Sequence, residues 1–552
     1  MKKTIIVFIL LALITGIFTS CIENKNNELV SDTDNLSVTD QSEILQNTTV
    51  SDQSNISESS TVTSECDLSS EDQSQPEYSN ISSEESIGDI FIYATTEYSG
   101  TTIKILTYSP NIDKLSVLQF VADDECTSDA VNTAVMERNA FIYNNYGITI
   151  ETVDSVSPIN EICESAYNTV LANTNDYDLI CGPSIKMVDY SVYGLFVPLD
   201  DYINTNDVWW NQASLEGNTL NENVHFFVSG DFMLTDVDYV NLILFNKRMY
   251  NENSEIVSKY GNIYDLVRSN RFTLDAFIEM SKAASKPDSD GKWSIDATYG
   301  LLSYADATSA MVSGCDNPFV TISEKNFEGF PSERSLNSFY KIYELMTDSK
   351  VVKRTEDIVG ENWSWNNNGL TELQEMFING HGLFYNTTVS NIAEIRNLTG
   401  DDFEFGVLPM CLYDEGQSGY YNLVSDKSTL MAIINSNNCN KEAAAFLLNT
   451  LGYWNIHLDN SVMDAYYKSV LGDDENSDNL EMLELVIYSR YYDIGYQYSF
   501  GDSLLNNFYP SIIRLNEGFC PISKFESIRD TIMEDINETY DNYEEMISTF
   551  NN

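Results

Sequence analysis

Beyond residue 88, short runs of alternating or continuous apolar residues give way repeatedly to stretches with a helical period. The run TIKILTY (102–108) predicts a strand, 129–145 a helix, 148–153 a strand, 160–173 a helix, and 178–181 a short buried strand. This βαβαβ order argues for a mostly parallel sheet covered by helices. Further on, 239–245 (YVNLILF) predicts a strand, 273–285 a helix opened by Thr273 as its N-cap, and 336–346 and 371–378 two more helices. Strands are expected at 381–385, 403–408 and 430–435, and helices at 441–451, 480–492 and 523–550. Helix follows strand nearly throughout, so the fold class is α/β, and the length suits two lobes with several chain crossings.

Before residue 88 the pattern is different. Met1, Lys2 and Lys3 give a short positive start, and residues 4–18 form an apolar run that ends in small residues before Cys21. This reads as a signal sequence over 1–20. About 15 residues at 1.5 Å each span only ~23 Å, short of the ~30 Å hydrocarbon core, which disfavours a permanent membrane span. The stretch Ile17-Phe18-Thr19-Ser20-Cys21 resembles the bacterial lipobox, although Phe18 stands where Leu is usual. The resemblance implies a lipoprotein acylated on Cys21 and held to the outer face of a membrane by palmitate-like chains. Ordinary secretory cleavage near Ser20 is the alternative.

Residues 22–87 are dominated by Ser, Thr, Asp, Glu, Asn and Gln, with one lysine, Lys25, and neither Trp nor Phe. Such a segment has too little apolar surface to fold alone. As a coil of about 66 residues it would hold the folded part ~40–50 Å from its anchor, so 21–87 reads as a lipidated cysteine and an acidic tether.

Composition sharpens the picture in three ways. The chain has 552 residues, with 29 basic and 85 acidic side chains and a formal charge of −56, which nearly rules out a partner held by phosphate charge, nucleic acid included. Cysteines after Cys21 are Cys66, Cys126, Cys163, Cys181, Cys315, Cys411, Cys439 and Cys520, with no C-x-x-C and no dense framework. Cys163 and Cys181 lie in apolar runs and read as core residues. Third, only His225, His381 and His457 are available to a histidine-based centre, and the first two stand beside aromatic strands where packing is the plainer role.

The usual catalytic signatures, G-x-S-x-G, G-x-x-x-x-G-K-[ST], G-x-G-x-x-G and H-E-x-x-H, are absent, and no cofactor is indicated. A glycosidase-like carboxylate pair stays open, because the test is separation in space. The segment 288–296 (DSDGKWSID) offers closely spaced oxygens, but Gly291 comes too early for an EF-hand loop, so a turn between elements outranks a weak cation site.

Five segments in order, 241–250 (NLILFNKRMY), 271–280 (RFTLDAFIEM), 377–384 (FINGHGLF), 405–410 (FGVLPM) and 441–446 (KEAAAF), resemble extracellular solute-binding proteins of bacterial ABC transporters, the family 1 carbohydrate type. The segments 464–468, 481–485 and 489–495 look like a subset of that family common in Gram-positive gut bacteria. The stretch 109–123 departs from the family's opening.

The resemblance implies a periplasmic-binding-protein-like clamp of type II, two α/β lobes joined by a hinge, with ligand between them. It places lobe 1 at about 88–237 plus 430–485 and lobe 2 at about 238–429 plus 486–552. It implies a non-enzymatic, monomeric receptor, lipid-anchored on the extracellular face of the cell membrane, that captures a carbohydrate, chiefly an oligosaccharide, and delivers it to ABC permease subunits. A surface sugar sensor or adhesin, and a glycan-cleaving enzyme, are the other readings.

Position by position, the resemblance implies Ser184 in the loop 182–184, Asp236, Asp238 and Tyr239 before the N-K turn, and Tyr385 and Asn386 after the G-x-x-x-F strand as ligand-binding residues. From the residues themselves, Trp363 and Trp365 are candidate platforms, since two Trp among Asn and Ser are hard to bury. For Trp209 and Trp210 a core role leads, and Tyr498 and Phe500 are weaker candidates.

Overall fold

A computed structural model describes residues 96–550, apart from 111–112, 124–128, 156–160, 221–223, 324–325, 329–331, 361–368, 458–460, 473–476, 502, 506 and 516–520. The expected signal segment, Cys21, the tether, Cys66, Cys126, Cys520, Trp363 and Trp365 lie outside the described residues.

The strands are β1 (Thr102–Tyr108), β2 (Thr149–Ser155), β3 (Leu179–Pro183), β4 (Asn241–Asn246), β5 (Tyr299–Ser303), β6 (Thr321–Ser323), β7 (Asn326–Glu328), β8 (Val352–Arg354), β9 (Gly382–Thr388), β10 (Phe405–Leu408), β11 (Asn422–Leu423), β12 (Thr429–Ile433) and β13 (Arg490–Tyr491). Two sheets organise the molecule. The first has the order β12-β3-β1-β2, with β1 parallel to both β2 and β3, as the βαβαβ pattern predicts, and β12 antiparallel to β3. The second has the order β10-β4-β9-β5-β8, in which β4 runs antiparallel to both neighbours and β5 parallel to both of its own.

Successive residues of the first sheet bury on opposite faces. Ile103, Ile105, Leu179, Cys181, Met431 and Ile433 enter one core with helix Lys441–His457. Leu106, Ile180, Leu430 and Ala432 enter the other, with helices Ala130–Tyr146 and Ile162–Leu171. Central strands covered on both sides need apolar residues at nearly every position, so β3 and β12 read as continuous hydrophobic runs, whereas β2 at the sheet edge carries charged and polar residues on its outer positions. Helix starts are set locally: Asp129 accepts from Asn132 N at 3.1 Å, Thr273 from Ala276 N at 3.3 Å, and Ser461 and Asp464 form a capping box.

Three chain segments form a ribbon where the sheets join. The Ser425 amide donates to the Tyr239 carbonyl at 3.0 Å, the Asn241 side chain to the Leu423 carbonyl at 2.8 Å, and the Val424 amide to the Tyr491 carbonyl at 2.9 Å. This ribbon corrects one expectation. The helix expected over 480–492 is Asp478–Tyr488, and the chain then extends into β13, parallel to β11. The helical pattern continues past Tyr488, but Asn422 N and Val424 N offer the backbone of Ser489 and Tyr491 long-range partners that outweigh one more helical turn.

The segment 288–296 is a turn. The Asp288 carboxylate accepts from the amides of Asp290 and Lys292 at 3.0 and 2.8 Å and from Ser294 Oγ at 2.6 Å, so its oxygens are already bonded within the loop. Among the described residues no group of three or more His, Cys, Asp or Glu side chains could hold a metal ion. No described helix is long and apolar enough to cross a membrane.

Candidate ligand site between the two sheets

The loops at the facing ends of the two sheets carry a tyrosine and carboxylate seam. On the first-sheet side, Asp113 follows β1 and caps helix Lys114–Leu118 by accepting from Leu115 N at 3.0 Å. Burial holds its carboxyl above the ordinary carboxylate range. Its charge reaches Tyr239 and Asp238 on the connection into β4: burial first, then Asp113, raises the Tyr239 phenol, and burial pushes the Asp238 carboxyl up to about 7. Tyr466, from helix Val462–Leu471, donates its hydroxyl to Asp238. Asp238 and Tyr239 are half-buried, so each keeps an accessible edge.

On the second-sheet side, the loop after β5 presents Tyr304 and Asp306. Arg514, from helix Phe508–Leu515, pairs with Asp306 and lies 3.7 Å from Glu356, whose carboxylate accepts from Ala305 N at 3.0 Å. Burial raises Asp306 while Arg514 opposes it, and Asp426, from the loop entering β12, adds a smaller upward push. Tyr496 stands between these groups; burial raises its phenol well above the ordinary value, with Asp426, Asp306 and Tyr304 contributing. Side chains attached to both sheets therefore share one electrostatic neighbourhood.

Sequence-expected residues fall into two groups. Asp238 and Tyr239 line this seam. Ser184, Asp236, Tyr385 and Asn386 are enclosed. The Ser184 hydroxyl sits between the Asp426 carbonyl, at 3.1 Å, and the Gln497 side-chain oxygen, and so fixes the seam from beneath. Asp236 is held by Arg490 at 2.8 Å and by Tyr492 Oη at 2.5 Å.

Tyr385, expected to offer a stacking face, instead packs its ring 5.5 Å from Phe377 in the second-sheet core and is 2% exposed. Asn386 donates to Ser303 Oγ at 2.9 Å. Both lie on β9, whose residues Gly382–Thr387 are all buried because β4 and β5 flank it and helices cover it. Trp210 is a core residue, its Nε1 donating to the Asn204 carbonyl at 3.1 Å, whereas Trp209 is half-buried. Tyr498 and Phe500 stack on one another at 5.5 Å and are also buried.

Asp113, Tyr304, Asp306, Tyr496 and Arg514 are absent from the sequence expectation. For Asp113, Tyr304 and Asp306 the one local signal was position, since each lies in a loop following a strand in this α/β order; Tyr496, in the short helix Ile494–Gln497, and Arg514, inside a helix, carried none.

Among the described residues the histidines meet no nucleophile. His225 Nδ1 lies 2.7 Å from Asp200 Oδ1, a carboxylate partner where packing alone was expected. His381 Nδ1 lies 3.3 Å from the Ala297 carbonyl, and the His457 ring lies 4.1 Å from that of Tyr453. The seam offers hydroxyl donors, carboxylate acceptors and ring faces, a set suited to holding a polyhydroxylated molecule.

No protein-family model matches the chain, and no curated protein matches it in sequence. Solved structures do match in shape. The chain is similar to the sugar-binding protein MalE from the phytopathogen Xanthomonas citri, with 9% identity, 79% of this chain and 98% of that chain covered, and a TM-score of 0.53. It is also similar to the maltose-binding periplasmic protein MalE from Listeria monocytogenes in complex with maltose, with 10% identity, coverage of 80% and 98%, and a TM-score of 0.51. UspC from M. tuberculosis matches with 13% identity, coverage of 79% and 100%, and a TM-score of 0.50. The fold is that of a periplasmic-binding-protein-like clamp, two α/β lobes joined by a hinge.

Proposed function

We propose that the protein is an extracellular receptor, anchored through lipid on Cys21, that captures a carbohydrate between its lobes and delivers it to the permease of an ABC transporter. The observation that carries this reading is where the loops of the two sheets meet: Asp426, entering β12, bears on Asp306 and Tyr496 beside Arg514, while Asp113, Asp238 and Tyr239 cluster on the connection into β4, and these loops supply carboxylate acceptors, a charged donor and aromatic faces. Pyranose rings present C–H faces to aromatics and hydroxyl groups to carboxylates, so this chemistry is complementary to a sugar. Two of the proteins with the same fold are described as sugar-binding and maltose-binding, which agrees with that class. The apolar run ending at Cys21 and the acidic stretch behind it support the anchor and the spacer. Among the sequence-expected residues, Asp238 and Tyr239 are proposed as direct ligand contacts and Ser184 and Asp236 as supports behind them.

Thermal unfolding of the protein against mono- and oligosaccharides, with amino acids, peptides and polyamines as controls, tests the ligand class. A ligand at 100 times its Kd adds about 2.7 kcal/mol of stability, which is visible as a shifted midpoint. A shift with a saccharide that is recovered unchanged is the expected result. A shift only among the controls, or a sugar that is cleaved, overturns the reading. Cys21→Ala tests the anchor independently: the protein should leave the membrane fraction, and retention there would remove lipidation as the tether.

A further inference from the structure

Cys315 caps the C-terminus of helix Ala307–Gly314, and Cys411 follows β10, about 100 residues further along the chain. Both are fully buried. The two backbones are pressed together: a Cβ on Gly314 would lie 2.7 Å from Met410 Cβ and 3.3 Å from the Cys411 carbonyl oxygen. Gln417 clasps this crossing. Its Nε2 donates to the Gly314 carbonyl at 2.8 Å, and its Oε1 accepts from Tyr413 N at 2.9 Å and from Arg334 Nη2 at 3.0 Å. Arg334 Nε in turn donates to the Cys315 carbonyl at 2.9 Å. Inside that clasp the buried Cys315 thiol has the Cys411 thiol as a near neighbour, and that neighbour is the first cause holding it above the ordinary thiol range.

The other described cysteines have different partners. Cys163 Sγ lies 3.7 Å from Met187 Sδ, Cys181 Sγ accepts from Gln119 Nε2 at 3.6 Å, and Cys439 Sγ donates to the Asp178 carbonyl at 3.4 Å. Only for Cys315 and Cys411 does the fold set thiol against thiol among the described residues.

We infer that Cys315 and Cys411 close a disulfide in the exported protein, pinning the end of helix Ala307–Gly314 to the segment between β10 and β11, which leads back to the hinge ribbon. The inference takes export from the proposed function, but its test does not depend on ligand or anchor. The oxidant is a small-molecule or carrier disulfide. One cysteine thiolate attacks it and expels a thiolate; the second cysteine thiolate then attacks the mixed disulfide and expels the other, so two thiols lose two protons and two electrons and the oxidant leaves as two thiols. The neighbouring Cys411 and burial keep the Cys315 thiol protonated in the finished fold, so exchange belongs to the folding chain and the completed core shields the product.

The experiment is refolding of the full chain from denaturant with oxidised glutathione, followed by denaturing alkylation without reductant and peptide mapping. A peptide pair joined through Cys315 and Cys411, about 2 Da lighter than the two reduced peptides together, is expected. Added reductant should lower Tm by about 4 °C or more, as loss of a cross-link over so long a loop requires. In Cys315→Ser, Cys411 should become fully alkylated. Complete alkylation of both cysteines in the refolded wild-type protein, or a bond from either to a third cysteine, overturns the inference; the wild-type map decides even where Cys315→Ser fails to fold.

Discussion

The guanidinium of Arg490 meets the fully enclosed carboxylate of Asp236 at 2.8 Å, 254 residues away in sequence, and its other arm holds Asp231 at 2.9 Å. Asp236 belongs to the short helix Leu234–Asp238 that leads into β4, and Arg490 begins β13, so the pair locks two of the three segments of the hinge ribbon. Tyr492 donates to the second Asp236 oxygen. Burial pushes the Asp236 carboxyl up and Arg490 pulls it back down, so the ionised form depends on that partner. Arg490→Met should therefore cost about 3–5 kcal/mol in urea unfolding, because it strands a buried carboxylate, and Asp236→Asn added to it should recover part of the loss. A loss below ~1 kcal/mol would show that water reaches Asp236 and that the pair does not hold the ribbon.

Asp238 and Asp493 carry carboxyls raised by burial, to about 7 and about 6. Both values lie above the ordinary carboxylate value of about 4 that the unfolded chain has. The folded protein thus binds these protons more tightly than the unfolded one, and their contribution to stability is complete below about pH 4 and is lost as pH rises through 7. Asp238→Asn keeps an acceptor for the Tyr466 hydroxyl but removes the charge. It should flatten the pH dependence between 4 and 7 and make the protein about 1–3 kcal/mol more stable than wild type at pH 8, discounted for the half-exposed position. Unchanged unfolding midpoints across that range would mean that Asp238 titrates as an exposed acid.

The first sheet was legible because its signals are local. TIKILTY is rich in β-branched and aliphatic residues, and after its exposed first residue it is buried nearly throughout, which is enough to declare a strand; Thr273 likewise caps the helix it was expected to open. β5 and β8 escaped notice. The first has Gly300 inside it, retained because a Cβ there would lie 2.0 Å from the Ser281 carbonyl, and the second is only three residues long.

For the site, the resemblance points to Asp238 and Tyr239 in the segment before the N-K turn, and the structure places both half-buried beside Asp113. Tyr385 and Asn386 could not be told from rim residues, since burial of a central strand depends on neighbours from distant parts of the chain. Arg514 and Asp306 meet across 208 residues, and no spacing in one sequence announces such a pair.

The contrast between Tyr239 and Tyr385 separates binding from packing. Tyr239 is half-buried in the seam, so Tyr239→Ala should weaken saccharide binding tenfold or more, about 1.4 kcal/mol, with a smaller effect on the ligand-free unfolding midpoint. Tyr385 fills core space beside Phe377, and Tyr385→Ala should cost about 3–5 kcal/mol of stability. Titration calorimetry with the best saccharide, run beside urea unfolding of both variants, reads the two effects apart. Were Tyr239→Ala to bind as wild type does, the seam would not be the ligand site.

Gly452 sits inside helix Lys441–His457, where alanine would ordinarily be the better residue by about 1 kcal/mol. Here a Cβ would lie 2.3 Å from Cδ1 of Trp209, whose indole rests edge-on to Tyr453 at 5.7 Å and to Trp210 at 6.3 Å. The indole's way out is the pocket of about 180 Å³ that it lines with Asp231, Tyr488 and Arg490. Moving it there breaks the contact with both neighbouring rings, and overpacking of this kind costs about 1–3 kcal/mol. The clash should outweigh the gain in helix propensity, so Gly452→Ala should lose about 1 kcal/mol in urea unfolding and alter the tryptophan emission. A variant more stable than wild type, with unchanged emission, would instead mean that Trp209 yields freely and that the glycine is not kept for the indole's sake.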